Sequence, residues 1–160
     1  MNRPIAIVVL ISALAGAAAV RAMDLAVVVN RSNPVDEVSW RELAAIFELR
    51  QQFWKGGDRV AVIIQPARCA ERNVMLKQVY HTTDEGLNKY LLNRMFTGEI
   101  SDFPQIAPSN EKVKDEIRKQ VNAIGFIDAA AIDKTVKVLR IDGAAVHSDK
   151  YRLRSANPPS

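Results

Sequence analysis

The sequence predicts an α/β fold in which a sheet of about four to five strands is flanked by helices. Short apolar runs rich in valine and isoleucine, such as 25–29 and 60–64, have the length of buried strands. Longer stretches between them show helical spacing of apolar residues and begin at helix-capping residues. Strands and helices in alternation indicate a sheet covered on both faces, and therefore a compact lobe.

The first predicted strand and helix lie before residue 48. The run 25–29 is apolar throughout and leads into a turn at 30–34 that ends in Pro34. Ser39 can cap a helix, and Glu42 completes a capping box three residues later. The helix that follows presents one apolar face: Trp40, Leu43, Ala44 and Phe47. A glycine-containing loop then returns the chain to the second strand.

Two further helices are predicted in the middle of the chain. One runs over about 69–80, after Pro66. The next begins at a second capping box, in which Thr82 is the cap and Glu85 its partner. Gly98 is well placed to end that helix, because glycine adopts the left-handed conformation without strain.

The last predicted helix begins after Ser109 and carries charges of alternating sign on its solvated face. It should bury three residues at helical spacing: Val113, Ile117 and Val121. Two strands, 123–127 and 136–141, are expected to complete the sheet.

The first 22 residues have the composition of a secretory signal peptide. Arg3 precedes an alanine-rich apolar run from Ile5 to Val20, and Ala22 is a small residue suited to cleavage. The run is shorter than the about 20 residues of a membrane-spanning helix, which argues against an anchor. We therefore expect a signal peptide over 1–22, export to the periplasm, a domain over 23–150 and a flexible tail over 151–160.

Charge and motifs argue against several function classes. The formal net charge is +4, and loss of Arg3 and Arg21 with the signal peptide lowers it by two. A near-neutral domain gives no electrostatic reason to expect nucleic acid as a partner. His81 and His147 have no partner at metal-ligand spacing. The sequence also lacks a hydrolase motif and a nucleotide-binding glycine loop, so we expect no enzyme, metal or cofactor.

The junction that follows the strand 60–64 is the candidate ligand site. A helix amino terminus beyond a strand end presents free N–H groups and partial positive charge, which suit an anion. Arg68 and Arg72 can add paired donors for an oxyanion. We predict four ligand-binding residues here: Arg68, Cys69, Ala70 and Arg72. Cys69 is the one cysteine of the chain, and is either a partly buried apolar residue or a thiol that cross-links two copies.

Two stretches of the chain carry a resemblance to a known family. The first is 39–47, continued by Trp54, Gly57-Asp58 and 60–65, and the second is 122–127, continued by 136–143. This order resembles the phosphate-binding proteins that feed ABC importers, which have the type II periplasmic binding protein fold. It is closer still to the compact secreted proteins related to them. The resemblance implies that 23–150 is a solute-binding-protein-like domain: a single lobe built on a mixed sheet.

The resemblance also implies a non-enzymatic binder of phosphate or another small anion, working with an ABC importer. In the phosphate binders this junction carries an acidic residue, a serine and a threonine that enclose the anion. In this chain Ala67, Cys69 and Glu71 stand in those positions. A second hypothesis therefore stays open: a single-lobe interaction or accessory subunit of a cell-envelope system that has lost ligand binding. Its partner would be an envelope protein or a second copy in a homodimer.

Overall fold

A five-stranded mixed sheet forms the centre of the computed structural model, which describes residues 22–155. The strands of the described chain are β1 Leu25–Val29, β2 Glu37–Val38, β3 Ala61–Ile64, β4 Gln105–Ile106, β5 Ala123–Asp128, β6 Lys137–Val138 and β7 Arg140–Ile141. The sheet order is β4-β3-β5-β1-β6, and β2 pairs separately with β7. Because β3 is parallel to β4 and β5 whereas β1 is antiparallel to β5 and β6, the predicted mixed α/β sheet is confirmed.

Four α-helices cover the sheet. They are α1 Trp40–Phe47, α2 Ala70–Met75, α3 Asp84–Phe96 and α4 Asn110–Lys119. The chain continues from α2 directly into a π-helical turn, Leu76–Tyr80, and a short 3-10 turn, Ala129–Ala131, follows β5. Among the described residues, no helix combines the length and the apolar character needed to cross a bilayer. The predicted signal peptide, apart from Ala22, lies outside the residues that the structure describes.

Local sequence signals set the ends of two helices as predicted. The Ser39 hydroxyl accepts the Glu42 amide at 3.1 Å, and the Glu42 carboxylate accepts the Ser39 amide at 3.0 Å. The hydrogen bond from the Ser39 amide lowers the pKa of the Glu42 carboxyl, which keeps this carboxylate of the capping box ionised. Gly98 follows the end of α3 with a φ of +72°, the left-handed conformation expected of a helix-ending glycine.

Three details differ from the sequence prediction. Thr83, not Thr82, caps α3, and its hydroxyl accepts the Gly86 amide at 3.2 Å. Val121 is 54% exposed because α4 has already ended at Lys119. The strand predicted over 136–141 is divided into β6 and β7, since the chain changes partner within it. The Leu139 amide bonds to β1, and the next amide bonds to the segment that precedes β2.

The sheet separates two hydrophobic cores. On one face, α1 and the α2 region pack on β1 and β5, and Phe47 meets Phe126 edge-on with ring centroids 5.8 Å apart. On the other face, Val113 and Ile117 of α4 pack against Ile63 of β3. Burial of both sheet faces fits the continuous apolar pattern of β1 and β5, whose central residues are fully enclosed.

Residues 151–155 belong to the folded domain, which corrects the prediction of a flexible tail over 151–160. Tyr151 and Leu153 are 2% and 0% exposed. The Tyr151 hydroxyl donates to the Leu25 carbonyl at 2.6 Å, and the Leu25 amide donates to the Leu153 carbonyl at 3.0 Å. Two apolar side chains and backbone bonding to β1 therefore hold this segment in place. Residues 156–160 lie outside the described part.

Candidate functional site

The junction between β3 and α2 lies at the carboxyl ends of the parallel strands β3 and β5. The Gln65 side chain, directly after β3, donates to the carbonyl of Phe126 in β5 at 3.2 Å. Helix α2 begins five residues beyond this point, with Cys69 as its cap. Since ligands of open α/β sheets bind beyond the carboxyl ends of parallel strands, the predicted site occupies the expected edge of the sheet.

The structure separates the four predicted site residues into two groups. Arg68 is exposed and has a φ of +71°, in the left-handed region. Cys69 and Ala70 are half-buried at the start of α2, and the Cys69 sulfur accepts the Arg72 amide at 3.4 Å. Arg72 is 4% exposed and points into the protein. The geometry therefore leaves three of the four residues accessible to a ligand.

Arg72 uses its guanidinium within the fold. Its Nε donates to the Asp84 carboxylate at 2.5 Å, and an Nη donates to the Gln65 carbonyl at 3.0 Å. The ion pair joins α2 to the first turn of α3, and the second bond joins α2 to the end of β3. Arg72 consequently positions the junction, and the paired arginine donors expected from the sequence do not form.

A network of polar side chains lies behind the start of α2. Gln65 donates to Asn110 at 2.8 Å, and Asn110 donates to the Glu71 carboxylate at 2.9 Å. The Asn110 oxygen also accepts the amide of Asp128 at 3.2 Å. These bonds tie β3, β5, α2 and α4 together. They also hold a negative charge in the first turn of α2, where an incoming anion has to compete with it.

Two donor types remain for an anion at this junction. The amides of Ala70 and Glu71 open α2, and the first amides of a helix have no intrahelical acceptor. The exposed guanidinium of Arg68 makes no ion pair within residues 22–155. Burial raises the pKa of the Cys69 thiol, so the thiol is neutral at pH 7 and adds no repulsion.

Sequence reasoning missed the residues that organise this junction. Asp84 lies in the first turn of α3, where acidic residues are ordinary, and nothing in that position indicates that it binds Arg72. Asn110 follows the cap of α4, and nothing in its local pattern indicates a contact with Gln65 or Glu71. The polar Gln65 at the end of an apolar strand was the available signal, since a buried amide requires hydrogen-bond partners.

The histidines do not form a metal site in the described part of the chain. His81 ends the π-helical turn with a φ of +51° and is exposed. His147 lies 3.3 Å from the Asp24 carboxylate, which Arg154 also contacts. Within residues 22–155, no three side chains of the metal-binding types come together.

Comparison with solved structures identifies a common architecture. An ABC-type phosphate transport receptor from Vibrio cholerae superposes on 83% of this chain and 54% of its own, with a TM-score of 0.66 and 21% identity. PstS from Borrelia burgdorferi superposes on 83% of this chain and 55% of its own, with a TM-score of 0.66 and 15% identity. A phosphate-binding protein from Stenotrophomonas maltophilia covers 78% of this chain, with a TM-score of 0.56 and 11% identity.

These similarities confirm the predicted fold, a single lobe of the periplasmic-binding-protein type. The chain spans about half the length of the solved structures that it matches. No family model matches the sequence, and neither does a curated protein. At this level of identity the shared feature is the fold alone, and function has to be argued from the site.

Proposed function

We propose that this chain is a non-enzymatic, solute-binding-like protein that captures a small anion such as phosphate at the β3–α2 junction. The free amides of Ala70 and Glu71, beside the exposed Arg68, carry the proposal. Helix amides and a guanidinium are the donors that suit a phosphoryl or sulfuryl oxygen. The similarity to phosphate receptors of ABC-type transport supports a role in a periplasmic import system.

We expect a single lobe to bind the anion weakly. The ligand is held on one side, and its other side stays hydrated unless a second surface closes over it. Glu71 weakens binding further, because its carboxylate lies among the same amides. Arg72 contributes by holding the helix start through Asp84 and Gln65. An importer subunit or another envelope protein is the partner that would supply the missing wall.

The test is the melting temperature of the purified protein with and without millimolar phosphate or sulfate. A ligand at about 100 times its dissociation constant stabilises by about 2.7 kcal/mol, which shifts the melting temperature by several degrees. Arg68→Ala should remove most of the shift. Arg41→Ala, which removes an exposed arginine of α1, should leave it intact. The absence of any shift, or a shift that survives Arg68→Ala, would rule out this site.

The Glu71 carboxylate provides a sharper version of the same test. Glu71→Gln removes the negative charge and keeps an oxygen that can accept from Asn110. The phosphate-induced shift should therefore be larger in this variant than in the wild type. Glu85→Gln removes an exposed carboxylate from the first turn of α3 and serves as the control. A smaller shift in Glu71→Gln would mean that the carboxylate supports the ligand.

The exposed face of α3 favours a second function, that of an interaction or accessory subunit. Leu92 and Phe96 are 46% and 85% exposed and lie one helical turn apart. A homodimer formed through this face predicts self-association in analytical ultracentrifugation that Phe96→Ser abolishes. A monomer at all concentrations, together with an anion-dependent shift in melting temperature, would favour solute binding over this alternative.

A further inference from the structure

A cleft opens at the amino ends of β3 and β5, the opposite edge of the sheet from the β3–α2 junction. It has a volume of about 220 Å³, and Val60, Ala61 and Val62 form part of its wall. Strand β4 pairs with Ile63 and Ile64, so within residues 22–155 no strand covers β3 on that side before Ile63. Pro104, just before β4, lies beside the opening. The cleft therefore exists because β4 is shorter than β3.

A second cleft of about 420 Å³ adjoins the first, and Arg59 and Asn122 line both. Ligand sites in proteins commonly occupy about 300–1,000 Å³, so the two together have the size of a small-molecule site. The Trp54 indole borders the second cleft and donates to the Asn122 carbonyl at 2.9 Å. That bond fixes the wall that the two clefts share.

The lining of the first cleft has little net charge. Its charged residues are Arg59 and Asp102, whose guanidinium and carboxylate are 3.7 Å apart. The remaining polar lining consists of amide side chains, including Gln51 and Asn122. Paired opposite charges and neutral amides favour an uncharged polar ligand over an anion.

Several of these polar side chains make a hydrogen bond within the protein and still carry donor or acceptor atoms that can bind a ligand. The Asn122 amide nitrogen donates to the Arg59 carbonyl, and that of Gln51 donates to the Phe53 carbonyl at 3.4 Å. Among the described residues, their side-chain oxygens have no partner. One Arg59 Nη donates to Ser101 at 2.7 Å, which leaves other guanidinium donors available. The cleft thus offers oriented donors and acceptors side by side, the combination that hydroxyl groups satisfy.

Phe103 adds an exposed aromatic ring to the lining. Its side chain is 48% exposed at the edge of the first cleft, where an aromatic ring would normally be covered. Phe53, which is 54% exposed, follows Gln52 of the same lining. An aromatic surface beside planar polar side chains matches a sugar ring, which carries C–H groups on its faces and hydroxyls around its edge.

We propose that this cleft, which we call the Arg59 cleft, binds a neutral sugar, with room for a second ring in the adjoining cavity. The ligand class follows from the paired charges, the half-used amides and the exposed Phe103. This site is separate from the β3–α2 junction, because the strand β3 lies between them. The proposal of a sugar site therefore does not depend on the proposed anion site.

The experiment is saturation-transfer difference NMR on the purified protein with millimolar glucose, galactose, N-acetylglucosamine and maltose as probes. At least one sugar should receive saturation, and added phosphate should leave that signal unchanged. Phe103→Ala should weaken binding by about tenfold, the loss of roughly 1.4 kcal/mol. Gln51→Ala, at a half-buried loop side chain, should weaken it too. Ile106→Ala removes an exposed apolar side chain that lines neither cleft and should have no effect.

Each result decides the proposal, provided that the variants melt at the wild-type temperature. Saturation of a sugar that is lost in Phe103→Ala and kept in Ile106→Ala supports it. No saturation of any of the four sugars overturns it. So does a signal that persists in both Phe103→Ala and Gln51→Ala, because that signal would come from another surface.

Discussion

Arg68 and Arg72 are four residues apart, on either side of the cap of α2, and have opposite roles. Arg68 is exposed and makes no ion pair in the described part of the chain. The side chain of Arg72 is 5% exposed and is paired with Asp84, whose side chain is 27% exposed. A buried guanidinium without its carboxylate is costly, so this pair constrains how α2 and α3 meet. Arg68, the exposed arginine, is the one that can bind a ligand.

Arg72→Ala should therefore lower the free energy of unfolding by about 2–3 kcal/mol. Loss of a fully buried pair member costs about 3–5 kcal/mol, and the partial exposure of Asp84 reduces that value. Arg68→Ala should change stability by less than about 0.5 kcal/mol, as is usual for surface sites. Urea denaturation of both variants provides the measurement. If the two variants lost the same free energy of unfolding, burial would not distinguish the two arginines.

The sequence cannot tell these two arginines apart. Both are basic residues near a helix start, and helical spacing places Arg72 on the face of Val79 and Met75 as well as near a ligand. The deciding contact is with Asp84, twelve residues away, and no local pattern encodes it. The position of the junction follows from the apolar strand and the helix after Pro66. The roles of its side chains depend on tertiary contacts.

At the scale of elements, prediction succeeds where the signal is local. The capping box at Ser39, the strand of β1 and the glycine after α3 each depend on neighbours within a few residues. Prediction fails for β2 and β4, which have two residues each and exist through their pairing with distant strands. Two-residue strands have no periodicity of their own to detect.

Gly125 fixes how closely α4 approaches the sheet. A Cβ at this position would lie 2.9 Å from Val113 Cγ1 and 3.4 Å from the Ile63 carbonyl. Gly125→Ala should therefore destabilise by about 1–3 kcal/mol, because overpacking exceeds the smaller gain from replacing glycine in a strand. Combining it with Val113→Ala should cost less than the two single changes together, as measured by urea denaturation. Strict additivity would show that the added methyl does not press on Val113.

Lys114 attaches α4 to the loop after β5. Its side chain is 4% exposed, and its ammonium lies 2.6 Å from the Asp133 carboxylate and 2.7 Å from that of Glu111. The hydrogen bond from Lys114, assisted by Thr135, lowers the pKa of Asp133 well below its usual value. A lowered folded-state pKa contributes stability above the unfolded pKa of about 3.9, and this stability is lost as the pH falls further.

Lys114→Met should therefore lose most stability near neutral pH. Its difference from the wild type should shrink as the pH falls below about 4, because protonation of Asp133 removes the same interaction from the wild type. Melting curves between neutral and acidic pH provide the measurement. Lys112→Met, whose side chain is 62% exposed, should show no comparable trend. A difference that stays constant with pH would argue against the ion pair as its source.

For the molecule as a whole, alternation of strands and helices was enough to predict a covered mixed sheet. It did not show that both ends of the described chain meet beside β1. The Ser155 amide donates to the Met23 carbonyl at 2.8 Å, and the Arg154 guanidinium contacts Asp24 at 2.9 Å. The sequence did contain a pattern that indicates this contact. Residues 151–154 alternate apolar and charged side chains, the period of a half-buried strand, which the prediction of a tail did not take into account.

Truncation tests whether this segment completes the fold. A chain ending at Lys150 loses the buried Tyr151 and Leu153, and burial of two such side chains contributes about 3–6 kcal/mol. It also leaves the Leu25 carbonyl and amide without their partners. Since a domain of this size is stable by about 5–15 kcal/mol, the shorter chain should be largely unfolded at moderate urea concentration. A chain ending at Ser155 keeps every one of these contacts and should unfold like the full chain. If both truncations unfold at the wild-type midpoint, residues 151–155 do not stabilise β1, and the lobe is complete without them.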